Sequence, residues 1–353
     1  MRLGCLQYFR HPNRSFYKNA MKATQIVLAS RPMGIPSFEN FRFEEIELPG
    51  LGADEVLIQP VYISVDPYMR SRMNDVKSYT PPFELNQPIS GGIVGRVLES
   101  KSQKFTVGDM VQANLPWTTK IICKAERLVK IDVNRAPASY YLGVLGMPGL
   151  TAYFGMIDIG RPKAGETVVI SGAAGAVGIV AGQIARNLGC RVVGLAGSDD
   201  KVKLLKEQFD FDAAINYKTS KNLRKDIKAA CPNEIDVYFD NVGGEISDAV
   251  FANLSFKSRV IVCGQISLYN ETRMQLGPRF LPVILTKSVL VKGFIVNDYT
   301  EKFPEGIAEL TTWVRDGKLT FKETIVKGFD RLPEAFLGLF AGQNQGKMLV
   351  QVE

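Results

Sequence analysis

The sequence offers little to a histidine-dependent or metal-dependent mechanism. It has one histidine, His11, and five cysteines (Cys5, Cys123, Cys190, Cys231 and Cys263) scattered without a C-x-x-C pair. A Ser-His-Asp triad or a zinc centre is hard to build from that inventory, so chemistry must rely on a cofactor, tyrosines, lysines or backbone. The spacing that does suggest chemistry is Gly172-Ala-Ala-Gly175-Ala-Val-Gly178. Against G-x-G-x-x-G it keeps the second and third glycines and has Ala173 at the first. Gly175 would let backbone approach a phosphate, and Gly178 would let helix and strand pack closely. Such a string alone can be only a tight turn.

The flanking elements make the nucleotide reading. A β-branched run, Thr167 to Ile170, precedes the turn; Val177, Val180, Ala181, Ile184, Ala185 and Leu188 follow at the spacing of one helix face; Gly189 stands where a helix would stop; a second apolar run covers Val192 to Ala196. This is a β-α-β unit that would set a dinucleotide pyrophosphate on the helix N-terminus, over Ala174, Gly175, Ala176, Val177 and Gly178. An NAD site usually carries an acid at the end of the second strand. Here that end is Ala196-Gly197-Ser198, with Lys201 beyond it, which suits a 2′-phosphate and favours NADP. Asp199 and Asp200 oppose this, unless they open the next helix, where negative charge is favourable.

Composition bounds the rest. The 353 residues suffice for two domains, and no apolar run approaches the roughly 20 residues that span a bilayer. The cysteine pattern excludes a disulfide framework and fits a cytoplasmic protein. Arg2, Arg10, Arg14 and Lys18 stand in the first twenty residues without an acid, so much of the net charge of +7 sits there. The body is only mildly basic, which an anionic cofactor explains at least as well as RNA does. Residues 1–20 read as a basic organelle leader or as a start called too early, and we expect the second, with translation from Met21.

Along the chain, short apolar runs separated by Pro and Gly fill residues 22–135 and read as a small β-barrel or sandwich, with Gly91, Gly92 and Gly95 marking a bulge or a close backbone contact. The pattern turns helical over 138–159. Beyond Lys201, helices (202–209, 222–230, 246–254) alternate with strands (213–217, 235–240, 259–263, 289–296), giving about six parallel strands. Asn241-Val-Gly-Gly244 follows a strand end as a second cofactor-contacting turn. The last part, with strands over 319–326 and 347–352, reads as a return to the first domain.

This order resembles the medium-chain dehydrogenase/reductase superfamily. Val65-Asp-Pro-Tyr-Met-Arg70, Ala173-Ala-Gly-Ala-Val-Gly178, Ala196-Gly-Ser-Asp-Asp-Lys201, Asn216-Tyr-Lys218, Phe239-Asp-Asn-Val-Gly-Gly244, Cys263-Gly-Gln-Ile-Ser-Leu-Tyr-Asn270 and Gln343-Asn-Gln-Gly-Lys347 are similar to its zinc-independent branch of prostaglandin reductases, 2-alkenal reductases and curcumin reductase. The resemblance covers residues 21–353. It implies a GroES-like β-barrel domain (21–143, rejoined by 315–353) and a Rossmann doubly wound parallel-sheet domain (144–314), an α/β fold with the site in the cleft between. It also implies NADPH-dependent hydride transfer to the β-carbon of an α,β-unsaturated ketone or aldehyde, and a homodimer. Zinc relatives carry a cysteine after the strand matching Tyr62 to Val65, where this chain has Ser64-Val-Asp-Pro.

Hydride addition to an enone leaves charge on the carbonyl oxygen, which calls for a hydrogen-bond donor there. By resemblance Tyr269 is that donor or part of the pocket wall, and Tyr68 borders the substrate pocket or is a buried turn residue, with Asp66 and Arg70 stabilising that turn. The resemblance places Lys201 and Tyr217 at the 2′-phosphate, Asn241 at the next strand end, Cys263, Gly264, Gln265, Ile266 and Ser267 along the nicotinamide, Phe294, Ile295 and Val296 beside it, and Asn344 near the closing segment. Cys263 and Cys123 also read as buried small apolar residues. Quinone reduction, and a non-enzymatic nucleotide- or RNA-binding use of the fold, are the alternatives.

Overall fold

The computed structural model describes residues 21–352. The leader, its His11 and the start at Met21 as a question of translation lie outside the described residues. β1 (Met21–Leu28) and β2 (Phe41–Leu48) form an antiparallel pair. β3 (Glu55–Ser64), β4 (Ser90–Ser100), β5 (Met110–Pro116), β6 (Ile121–Lys124) and the short β7 (Val129–Lys130) build a second, antiparallel array, with helix α1 (Tyr68–Arg72) on the loop after β3. Its core gathers Ile26, Ile58, Ile63, Met69, Trp117 and Phe336. Gly95 of β4 is there for want of room, since a Cβ on it would lie 2.8 Å from the Gln59 carbonyl, while one on Gly91 would meet the flexible end of the Met69 side chain. Opposite Gly95 the register slips between Pro60 and Tyr62.

After α2 (Met147–Phe154) the chain enters a six-stranded, wholly parallel sheet. In chain order its elements are β8 (Thr167–Ser171), α3 (Ala176–Asn187), β9 (Arg191–Ala196), α4 (Asp199–Gln208), β10 (Ala213–Asn216), α5 (Leu223–Ala230), β11 (Ile235–Asp240), α6 (Gly244–Phe251), β12 (Leu254–Val262), α7 (Leu281–Thr286) and β13 (Leu290–Gly293). The strand order β10-β9-β8-β11-β12-β13 reverses between β8 and β11. Ligands of such sheets bind outside the carboxyl ends of the strands at that reversal. Val168, Val169 and Ile170 are fully buried between helix layers, which is why β8 reads as an unbroken apolar run.

Several stretches depart from expectation, among them β13, which stops at Gly293 rather than running to Val296. α6 ends at Phe251 rather than Leu254, because Asn253 donates through Nδ2 to Arg224 O and Ala249 O and its own carbonyl takes the N–H of Ile235. Leu254 therefore already pairs with Ile235 in β12, and the left-handed Lys257 (φ 59°) makes the bulge that hid the first half of that strand. α7, a single apolar turn and a half, was not anticipated. Past α8 (Phe303–Arg315), strand β14 (Glu323–Lys327) begins later than expected; with α9 (Leu332–Phe340) and β15 (Lys347–Gln351) it rejoins the first array, β15 pairing with β3.

Candidate functional site

The glycine turn follows β8 and opens α3 as the motif requires. Gly172 adopts φ 59°, and Gly175 is the N-cap of α3 with no side chain to cap it. The first helical N–H groups, from Ala176 to Gly178, thus have neither an intrahelical carbonyl nor a capping side chain. A Cβ on Gly178 would sit 2.5 Å from Gly172 O and 2.7 Å from the Ala173 Cα, so only glycine lets α3 approach β8 this closely. From the far end of the chain, Gly346 donates its N–H to Ala174 O at 2.8 Å and bridges Gly175, and Asn344 donates to Gly346 O at 2.9 Å. Asn344 is therefore beside the turn through Gly346.

At the end of β9, Ser198 caps α4 by accepting the Lys201 N–H, and Asp199 is the first helical residue. The Asp199 carboxylate is turned aside to accept from Asn216 Nδ2 at 2.7 Å. Lys201 extends across to donate to Gly342 O at 2.8 Å. Burial first, and then the positive charge of Lys218, pull its pKa down from the ordinary lysine value. The Tyr217 hydroxyl lies over Gly197, 2.7 Å from where a Cβ would be, with Lys218 Cε 3.3 Å from the same point. Lys201, Tyr217 and Lys218 thus gather at the small strand end, two cations and a hydroxyl side by side. Lys218 was missed, although it stands next to Tyr217 in the sequence.

The third edge is built on a buried carboxylate that was also missed. Asp240, 2 % exposed at the end of β11, accepts from Ser171, Tyr238, Ser247 and Gln265 side chains and from the backbone N–H groups of Val242 and Gly243, all between 2.7 and 3.0 Å. That set of donors fixes the Asn241–Gly244 turn and the Gln265 side chain. Asn241 donates through its amide to Ser171 O at 2.8 Å, tying the two turns together. Ser267 donates to Val242 O, and Ile266 N reaches Asn241 O. Gly264 is held with its Cα side 3.2 Å from Asn241 O and 3.5 Å from the Tyr269 hydroxyl, measured to a notional Cβ. Because Val262 pairs with Gly293, Cys263 and Phe294 leave adjacent strand ends together. Phe294 then packs edge-on to Tyr299, and Ile295 and Val296 lead into the following 3-10 turn.

Tyr269 closes the 3-10 turn Ile266–Leu268. Its hydroxyl accepts the Gln265 N–H at 3.4 Å, which leaves its own proton for another acceptor. Burial, opposed by that hydrogen bond and reinforced by Cys263 and Asp240, raises its pKa, so it is a neutral donor across the neutral range. The Cys263 thiol is pushed up to about 12, first by burial and then by Asp240. In the first array Tyr68 opens α1; burial, then the Asp66 carboxylate, raise its pKa. α1 is tied to the segment after Tyr269 where Arg70 Nε donates to Asn270 Oδ1 at 2.9 Å. Asp66 accepts from Ser64 Oγ and pairs at 3.0 Å with Lys347, itself 2 % exposed, so the turn after β3 carries a buried ion pair. Among the described residues no group of three or more His, Cys, Asp or Glu side chains is placed to hold a metal ion. A cavity of about 470 Å³ does open near Glu166, Asp236 and Arg259, but at the amino ends of the strands, away from all these turns.

Residues 24–131 match the family described as the N-terminal domain of oxidoreductase, and residues 176–312 the family described as zinc-binding dehydrogenase. The chain is 53% identical over 330 residues to YfmJ of Bacillus subtilis (93% of this chain, 97% of that protein), and 42% identical over 331 residues to the NADPH-dependent curcumin reductase of Escherichia coli (92% and 96%). It is 41% identical over 333 residues to the NADP-dependent 2-alkenal reductase of Nicotiana tabacum (93% and 97%). The crystal structure of CurA from Vibrio vulnificus in complex with NADPH superposes with a TM-score of 0.89 at 41% identity, over 94% of this chain and 99% of that one. The chain belongs to the medium-chain dehydrogenase/reductase superfamily, in the branch that holds the curcumin and 2-alkenal reductases.

Proposed function

We propose that this protein is an NADP-dependent oxidoreductase that reduces the C=C bond of α,β-unsaturated ketones or aldehydes without zinc. The carrying observation is a neutral, half-buried tyrosine hydroxyl, Tyr269, whose proton is left free at the carboxyl ends of the strands, within reach of the strand ends that would hold a nicotinamide. The residues present fit the cofactor: an uncapped helix N-terminus behind a glycine with no room for a Cβ, and a pair of lysines with a tyrosine at a strand end that lacks an acid. When bound there, NADPH supplies the hydride, and the substrate's β-carbon receives it. Ala174 to Gly178 would hold the pyrophosphate; Lys201, Lys218 and Tyr217 would hold the 2′-phosphate. Asn241, the 263–267 segment and Phe294 to Val296 would line the nicotinamide, with Asn344 at the closing segment.

In this reading Tyr269 donates its hydroxyl hydrogen bond to the carbonyl oxygen, where negative charge grows as the β-carbon is attacked. The enolate left by hydride addition then takes a proton from solvent at the α-carbon, and the product is the saturated carbonyl. Tyr68 forms the opposite wall. Ser64 and Asp66, spent on each other and on Lys347, leave no thiol or free carboxylate for a metal at the turn after β3. Strand β13 is an edge of the sheet with all four residues exposed, and we assign its cover to a second copy of the chain.

NADPH oxidation against a panel of 2-alkenals, an aryl enone, a 15-oxo-prostaglandin and a quinone tests the proposal. Turnover of the enones and enals with saturated carbonyl products, and no allylic alcohol, is expected. Turnover of the quinone alone would overturn it.

A further inference from the structure

Arg70 is 3 % exposed, yet among the described residues no carboxylate lies within ion-pair distance of its guanidinium. All its bonds go to neutral oxygens: Nε to Asn270 Oδ1 at 2.9 Å, Nη1 to Asn74 Oδ1 at 2.7 Å, and Nη2 to Gly34 O at 2.8 Å and Pro32 O at 3.5 Å. A buried cation without a counter-charge is costly, and a stability role alone would be served as well by an apolar side chain of that size. What the rigid fork of a guanidinium adds is direction. Its acceptors sit on three separate segments, the loop at 32–34, the end of α1, and the loop that carries Tyr269. The first and third also touch each other, a Cβ on Gly34 falling 3.8 Å from Asn270 O and 3.9 Å from the Thr272 methyl.

We infer that Arg70 is a positioning residue that acts through Asn270: it holds the loop of Tyr269 against the helix that begins with Tyr68, so that one side chain registers both walls of the substrate cleft. Asn270 directly follows Tyr269, and among the described residues its side chain makes no other hydrogen bond that competes with Arg70. Loss of this bond frees the tyrosine-bearing turn from the first domain while the cofactor turns, held by Asp240 and Ser171, keep their own bonds. The inference rests on the reading of Tyr269 as the hydroxyl donor.

The test uses Asn270→Ala, which removes the tie but leaves Arg70 its bonds to Asn74, Gly34 and Pro32, together with Asn270→Asp, which keeps an Oδ acceptor. In the full-length enzyme Asn270→Ala is expected to lower kcat about 10- to 100-fold, the scale of a misplaced catalytic group, with KM for NADPH within twofold. Asn270→Asp should restore most of that loss. In a Tyr269→Phe background Asn270→Ala should change kcat by less than about twofold, since the group it positions is gone. Hydrogen exchange should quicken over residues 266–271 in Asn270→Ala and not over 172–178. Unchanged exchange there, an unchanged kcat while Tyr269→Phe is slow, or the same loss in both backgrounds would each overturn the inference. If Tyr269→Phe itself keeps full kcat, the donor reading falls, and exchange alone then decides whether the tie exists.

Discussion

Lys201→Ala is expected to remove most of the preference for NADPH while sparing NADH. Lys201 is anchored at the pocket by its bond to Gly342 O, and Lys218 is close enough to lower its pKa, so the two cations repel until a dianion lies between them. A hydrogen bond to a charged group contributes about 1.5–3 kcal/mol, and 1.4 kcal/mol is a factor of ten, so KM for NADPH should rise roughly 10- to 150-fold. Since Lys218 and Tyr217 remain, the lower half of that range is expected. NADH has no 2′-phosphate to lose, and its KM should stay within about twofold. The pH dependence carries the same sign: the pKa of Lys201 lies below the ordinary lysine value, so KM for NADPH should climb on the alkaline side earlier than an exposed lysine would allow, and Lys201→Arg should abolish that climb. Initial rates with both cofactors at a saturating enal, backed by titration of NADPH fluorescence, measure all of this. A parallel rise in KM for both cofactors would refute the assignment.

Three further outcomes follow from the geometry. Gly178→Ala must push backbone against backbone, so it should weaken NADPH binding at least tenfold in a fluorescence titration and lower the melting temperature. Lys347→Met strands Asp66 as a buried, unpaired carboxylate and should cost about 3–5 kcal/mol, read as a drop in denaturation midpoint; adding Asp66→Asn should recover part of it. Val291→Lys, in the middle of the exposed edge strand, should shift the protein to monomer in sedimentation with its fold intact, whereas a wild-type monomer would remove the proposal for that edge.

The elements around the candidate cofactor turn were legible in the sequence because their signals are local. Thr167 to Ala196 carries strand, turn, helix and strand within thirty residues, and the glycines at 175 and 178 stand at fixed offsets. The uncharged end of β9 sits within five residues of Lys201. Bonds that join distant residues left no such trace. Arg70 and Asn270 are 200 positions apart, and Lys347 and Asp66 are 281 apart; Asp66 and Arg70 read only as stabilisers of their own turn until the fold brings their distant partners to them. Asp240 was hidden for another reason: it closes an otherwise apolar strand, and only the structure shows six donors converging on it. Strand β12 was half seen because the left-handed Lys257 breaks its period.

The cysteines bear on what such an enzyme can survive. An α,β-unsaturated carbonyl is a Michael acceptor, and the β-carbon that accepts hydride is the carbon that thiolates attack. Cys263 leaves the end of β12 beside the 263–267 segment, where such a compound would dwell. Burial, reinforced by Asp240, pushes its thiol up to about 12, which disfavours the thiolate at neutral pH. Cys190 and Cys231 are pushed up to about 11 and Cys123 also rises, each chiefly by burial. Every described cysteine thus has its thiol favoured over the reactive thiolate, and a protein proposed to reduce electrophilic enones presents them with no ready sulfur nucleophile at the strand ends where they would bind.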